Sequence, residues 1–189
     1  MPINTVAVYC GSALGNQPDF GQAARDLARA LAAHRMGLVY GGGNVGIMGE
    51  LADACLRERV CVTGVIPGGL VDREIAHRGI DRLEVVGTMA ERKTRMEELA
   101  DAFVILPGGM GTMEELFQVM TGQQIGTING PIALCNTNGY YDGLVETLES
   151  MARCGFVQQK FVTSLIVAPT PGDVLNRMRC WKSPGTKWE

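Results

Sequence analysis

The chain has 189 residues, 46% of them hydrophobic and 20% charged, with a formal net charge of −3. This is the balance of an ordinary globular protein with a substantial core, and the weak negative charge excludes the basic footprint of a nucleic-acid binder. No run approaches the roughly 20 apolar residues of a membrane span, and Met1-Pro2-Ile3-Asn4-Thr5 lacks the basic-then-apolar start of a signal peptide, so a cytoplasmic protein is expected.

Apolar runs and amphipathic stretches alternate from one end to the other. Strands are predicted at 5–9, 37–40, 60–66, 83–86, 102–106, 131–135 and 164–168. Helices are predicted at 18–35, 46–58, 89–100, 112–125, 141–153 and 172–179, the first with Phe20, Ala24, Leu27 and Leu31 on one face. Continuous apolar strands separated by amphipathic helices indicate an α/β fold: one doubly wound, Rossmann-like parallel sheet with helices on both faces. Residues 1–180 are read as one nucleotide-binding domain and 181–189 as a loosely held tail.

Four strands lead into glycine turns: Cys10-Gly11-Ser12, Gly41-Gly42-Gly43-Asn44-Val45-Gly46, Pro67-Gly68-Gly69 and Pro107-Gly108-Gly109-Met110-Gly111. Glycine suits any tight strand-to-helix turn. Four such turns on one edge of a sheet suit a nucleotide pocket better. Gly41, Gly43 and Gly46 also meet the G-x-G-x-x-G spacing of a dinucleotide site. Two features oppose that rival: the motif follows the second strand rather than the first, and no acid closes the next strand before Asp72. The six cysteines form no Cys-x-x-Cys pair and are read as free thiols. His34 and His77 lack metal-ligand spacing, and no metal is expected.

The predicted helix at 89–100 carries an apolar stripe of Met89, Met96 and Leu99. Arg92 and Lys93 fall on that stripe, three and four residues after Met89. A charge facing the sheet is costly unless it is paired, and a bound anion or an acid such as Glu115 would resolve the cost. Snorkelling, with the stems on the core and the heads in water, is the plainer alternative. Thr88 and Glu91 have capping-box spacing, so Glu91 is given no catalytic role.

The densest signal is Pro107-Gly108-Gly109-Met110-Gly111-Thr112-Met113-Glu114-Glu115, between an apolar strand and a helix. Its glycines allow close backbone approach, and the helix start offers unpaired amides to a phosphate. Thr112 and Glu115 also match a capping box, which would tie the acid to its own helix.

Together these segments resemble the LOG ("Lonely guy") family of cytokinin riboside 5′-monophosphate phosphoribohydrolases, many of which carry a lysine decarboxylase label. The signature Pro-Gly-Gly-x-Gly-Thr-x-x-Glu is complete at Pro107–Glu115. The blocks Tyr40–Gly49, Met89–Met96 and Asn138–Asp142 follow in the order of the family pattern. The resemblance implies Arg92 and Glu115 as the catalytic pair of a homodimeric enzyme that needs no metal or cofactor. The substrate it implies is a purine nucleoside 5′-monophosphate, AMP or isopentenyl-adenosine monophosphate, cleaved to free base and ribose 5-phosphate. It also implies that Gly108, Gly109, Met110, Gly111 and Thr112 hold the 5′-phosphate, that Arg92 and Lys93 face anionic atoms, and that Ser12, Gly43 and Met89 line the pocket. Ala90, Met110 and Gly122 depart from the residues common in the family and bear on base preference. The alternative is a non-catalytic nucleotide or cofactor carrier on the same fold. Decarboxylation would need a lysine for pyridoxal phosphate, and of Lys93, Lys160, Lys182 and Lys187 just Lys93 falls near the expected pocket.

Overall fold

The computed structural model describes residues 2–71 and 75–189. Seven parallel strands form one sheet in the order β4-β3-β2-β1-β5-β6-β7. They are β1 (Thr5–Tyr9), β2 (Gly37–Tyr40), β3 (Val62–Pro67), β4 (Arg82–Val86), β5 (Ala102–Ile105), β6 (Ile132–Cys135) and β7 (Ile166–Ala168). The helices are α1 (Pro18–His34), α2 (Gly46–Arg57), α3 (Met89–Leu99), α4 (Met110–Ile125), α5 (Asp142–Arg153), α6 (Gln159–Ser164) and α7 (Pro171–Met178).

Alternation along each strand divides the core into two layers. Val6 and Val8 of the first strand and Cys10 just after it, with Val104 of the fifth and Leu106 just after that, face α1, α2 and α7. Ala7, Tyr9, Phe103 and Ile105 face the opposite way, toward Met96 of α3 and Leu116 and Val119 of α4. The register sets Ala7 beside Phe103 and Tyr9 beside Ile105. Helix boundaries follow local chemistry. Pro18 opens α1, where its missing N–H costs nothing. Arg35 closes α1 in the left-handed conformation, and Met36 N–H then donates to the Leu31 carbonyl at 3.0 Å.

Two differences from the sequence reading stand out. Helix α6 was not predicted, and Ser164, read as the start of a strand, is its last residue. Helix α4 begins at Met110, two residues before the predicted start. The segment after α7 has no helix or strand. Trp181 Nε1 donates to Ser164 O at 3.0 Å, and Lys187 N to Gln124 O at 2.8 Å. No helix among the described residues is long and apolar enough to cross a membrane.

The winding direction reverses between β1 and β5. In a sheet of this kind the ligand crevice lies at that switch point, beyond the carboxyl ends of the strands. The turns after β1 and β5 are the Cys10–Ser12 segment and the Pro107 signature.

Candidate active site

A cavity of about 170 Å³ opens at this switch point. Its wall includes Ser12, Gly41, Met48, Arg92, Gly109, Met110, Gly111, Thr112 and Glu115. A larger hollow of about 930 Å³ lies at the amino-terminal edge of the sheet, lined by Ile3, Met36, Phe103 and Trp181 among others. Both of its acids are already engaged: Asp101 accepts from the amides of Asn4 and Thr5 at 2.8 and 3.0 Å, and Glu97 accepts from Gln118 Nε2. The smaller cavity, with convergent charged groups at a helix start, is the stronger candidate.

Arg92 reaches the cavity from the first turn of α3, one turn before Met96. Its side chain is only 7% exposed. Nε donates to the Val65 carbonyl and Nη2 to the Gly41 carbonyl, each at 3.2 Å. The guanidinium is therefore fixed to the ends of β3 and β2 and does not snorkel. Nη1 lies 3.8 Å from Met89 Sδ and 4.0 Å from Glu115 Oε1. At that separation Arg92 and Glu115 attract as opposite charges without a direct hydrogen bond.

Glu115 stands on α4 and is 9% exposed. The helix is capped by Gly109, with no side-chain capping bond, so Thr112 is its third residue and not its cap. The capping-box expectation for Thr112 and Glu115 fails for that reason. Thr88 does cap α3: its Oγ1 accepts from Glu91 N at 3.1 Å, while Glu91 Oε2 accepts from Gly87 N, one residue before the cap, at 2.8 Å.

The first amides of α4, at Met110, Gly111 and Thr112, have no acceptor within the helix. The first bond of the helix turn runs from Met113 N to Gly109 O at 3.1 Å. These amides make a ready anion seat. Nothing lies within 4 Å of where a Cβ would stand on Gly109 or Gly111. Gly108 serves packing instead, since a Cβ there would overlap Thr112 Oγ1.

The dinucleotide alternative fails at α2. Its first amides, Ile47 N and Met48 N, donate to the Gly11 carbonyl at 3.1 and 3.4 Å, where a pyrophosphate would have to bind. Gly46, at φ +57°, is pressed against the Ser12 backbone. Asp72 lies outside the described residues.

Of the residues expected at the site, Ser12, Arg92, Gly109, Met110, Gly111, Thr112 and Glu115 share the cavity wall. Gly108 lies just behind the wall. Gly43, paired with Ala76 in an isolated bridge, and Met89, exposed beside Arg92, are not in the wall. Lys93 diverges from Arg92: its ammonium pairs with Glu114 on α4. Gly122 is remote, about 10 Å along α4 from Glu115 at 1.5 Å per residue. A Cβ there would meet Ile128 Cγ1 at 2.6 Å.

Wall residues not singled out from the sequence as binding residues are Val8, Tyr9, Cys10, Gly11, Gly41 and Met48. Burial, and then the Glu115 charge, push the Tyr9 phenol and the Cys10 thiol far above their ordinary ranges. Both stay protonated at neutral pH, so Cys10 is no thiolate nucleophile. Sequence reasoning also missed Tyr140 and Tyr141, whose hydroxyls donate to the Gly108 and Leu106 carbonyls, each at 2.6 Å. Among the described residues, no group of three or more His, Cys, Asp or Glu is placed to hold a metal ion.

A Rossmann-like sheet with an anion seat and a buried Arg–Glu pair at its switch point defines a nucleotide-type α/β protein. The family described as "Possible lysine decarboxylase" matches residues 48–178. A cytokinin riboside 5′-monophosphate phosphoribohydrolase of Rhodococcoides fascians is 43% identical over 86% of this chain and 83% of its own length. The Arabidopsis thaliana enzyme of the same name, LOG4, is 36% identical over 97% of this chain and 88% of its own. The chain belongs to the LOG family. Among solved structures, the molybdenum cofactor binding protein of Rippkaea orientalis superposes with a TM-score of 0.71 at 18% identity, covering 95% of this chain and 98% of that one. A likeness at that identity extends to the fold alone.

Proposed function

We propose that this protein hydrolyses the N-glycosidic bond of purine riboside 5′-monophosphates, with isopentenyl-adenosine monophosphate and AMP as the two candidate substrates. The observation that carries the reading is the meeting of Arg92 and Glu115 in one cavity, beside the open helix start of α4. Membership of a family whose relatives bear that activity in their names supports it.

In the proposed reaction the C1′–N bond breaks. Water supplies a hydroxyl to C1′ and a proton to the departing base, giving free base and ribose 5-phosphate. Positive charge develops on the sugar as the bond breaks, and a nearby carboxylate stabilises it. Glu115 takes that role and orients the attacking water. The amides from Gly109 to Thr112, with the Thr112 hydroxyl, hold the 5′-phosphate. Arg92 holds Glu115 by charge and faces anionic ligand atoms. In this reading Ser12 completes the binding wall and Met89 flanks Arg92, while Gly43, Lys93 and Gly108 support the site from outside the wall. At about 170 Å³ the cavity is smaller than the ~300–1,000 Å³ of typical ligand pockets. It therefore suits the phosphosugar, with the base projecting across Met48 and the largely exposed Met110. The homodimer implied by the resemblance and the cytoplasmic location expected from the sequence belong to the same reading.

Decarboxylation fits poorly. Lys93 is paired with Glu114, Lys160 Nζ donates to Thr186 O at 2.6 Å, and none of the four lysines is in the cavity wall.

The test is to incubate the protein with each monophosphate and separate the products. Free base plus ribose 5-phosphate is expected, and binding without turnover would instead indicate a carrier. Glu115→Gln should fold normally and lose on the order of 10²–10³ in rate. Normal turnover by the folded variant would remove Glu115 from the mechanism.

A further inference from the structure

The peptide between Gly108 and Gly109 joins two residues without Cβ atoms, so it can flip at little steric cost. Its orientation decides whether the Gly109 N–H is available to the phosphate seat. One side-chain contact sets that orientation: the Tyr140 hydroxyl donates to the Gly108 carbonyl at 2.6 Å. In a trans peptide the carbonyl and the following N–H point in opposite directions, and no cis peptide occurs among the described residues. With the Gly108 carbonyl held at Tyr140, the Gly109 N–H is turned away from it. Gly109 is part of the cavity wall and Gly108 is not.

The phenol is itself well braced. Its ring meets Phe20 edge-on at 5.5 Å and Tyr141 at 4.9 Å. The preceding residues are tied to the start of α1, where Asn138 Nδ2 donates to Gln17 Oε1 at 2.9 Å and Asp19 Oδ2 at 2.7 Å. Tyr141 fixes the adjoining strand end by donating to Leu106 O at 2.6 Å.

We propose that Tyr140 is a positioning residue for phosphate recognition: its hydroxyl locks the Gly108–Gly109 peptide so that the Gly109 amide serves as a donor to the substrate's 5′-phosphate. The inference rests on the function proposed above. Tyr140 touches no ligand atom in this account and takes no part in bond cleavage.

The test is Tyr140→Phe, which keeps the ring and its aromatic contacts and removes the hydroxyl. KM and kcat are measured with isopentenyl-adenosine monophosphate and AMP, and inhibition constants with ribose 5-phosphate and with adenosine, which lacks the phosphate. Loss of one net hydrogen bond should raise KM and the ribose 5-phosphate constant about threefold to tenfold. The kcat should stay within about twofold, the adenosine constant should not change, and the thermal midpoint should fall by no more than the few degrees that one hydrogen bond is worth. An unchanged KM, or equal weakening of adenosine and ribose 5-phosphate, overturns the positioning role while wild-type turnover leaves the functional reading intact. A wild-type protein that neither binds nor cleaves either monophosphate overturns both.

Discussion

Arg92 owes its place to a residue 51 positions earlier that has no side chain. The guanidinium fills the space that a Cβ on Gly41 would occupy. A Gly41→Ala substitution would push the charged head off the Val65 and Gly41 carbonyls and leave it buried without those acceptors, which is costly. We expect the variant to lose about 1–3 kcal/mol of stability through overpacking and on the order of 10² in turnover, as read by urea unfolding and product release. Full stability with full activity would mean the guanidinium has a second, equally good seat. At this scale local pattern drew notice to both residues, a charge on an apolar stripe and an acid after a glycine turn, but left snorkelling and capping open; it was the family resemblance that paired Arg92 with Glu115. The sequence placed Gly41 in a pocket-forming glycine turn but hid its role as the seat of the Arg92 guanidinium, because that contact joins residues 51 positions apart. It also hid Tyr140, because a hydroxyl reaching a carbonyl 32 residues away leaves no periodic trace.

Helices α3 and α4 carry the two halves of the charged pair, and polar contacts join them. Lys93 pairs with Glu114, and one turn further along Gln118 donates to Glu97. Helix α3 is fastened on its other side to β4, where Arg95 Nε and Nη2 donate to Glu84 at 2.8 and 3.3 Å. The Arg95 hydrogen bonds hold the Glu84 carboxyl below its ordinary range, against the opposing effect of burial. A depressed folded-state pKa contributes stability above the unfolded-state value and loses it as pH falls through the folded one. The stability gap between wild type and Glu84→Gln should therefore be widest near neutrality and close below about pH 4. Thermal midpoints across a pH series test this, and a gap persisting at about pH 3 would assign Glu84 to packing rather than charge. Most elements were legible because apolar strands and amphipathic helices alternate so regularly. Helix α6 was not, since six residues are too few to display a helical period. The start of α4 was misread because Gly109-Met110-Gly111 disfavours helix while Thr112 and Glu115 imitate a cap.

Across the whole molecule, burial sorts the thiols. Cys10, Cys55 and Cys135 are buried, while Cys61, Cys154 and Cys180 are exposed, and all six are free. Burial pushes the Cys55 thiol up to about 12 and that of Cys135 up to about 11. A thiol reagent at pH 8 should thus modify three cysteines promptly in the native protein and all six after denaturation. Rapid modification of a fourth would reveal an opening of the core. The parallel sheet and its winding were legible from composition and alternation; the switch point as the place of the site followed from the general rule for such sheets. The strand order adds one consequence. Arg92 is bonded to the ends of β2 and β3, on one wing, whereas Glu115 belongs to the helix that follows β5, on the other. A folding chain with one wing built and the other still loose would own a cation or an anion, never the two opposed, so the proposed charge pair exists only once β1 and β5 are joined.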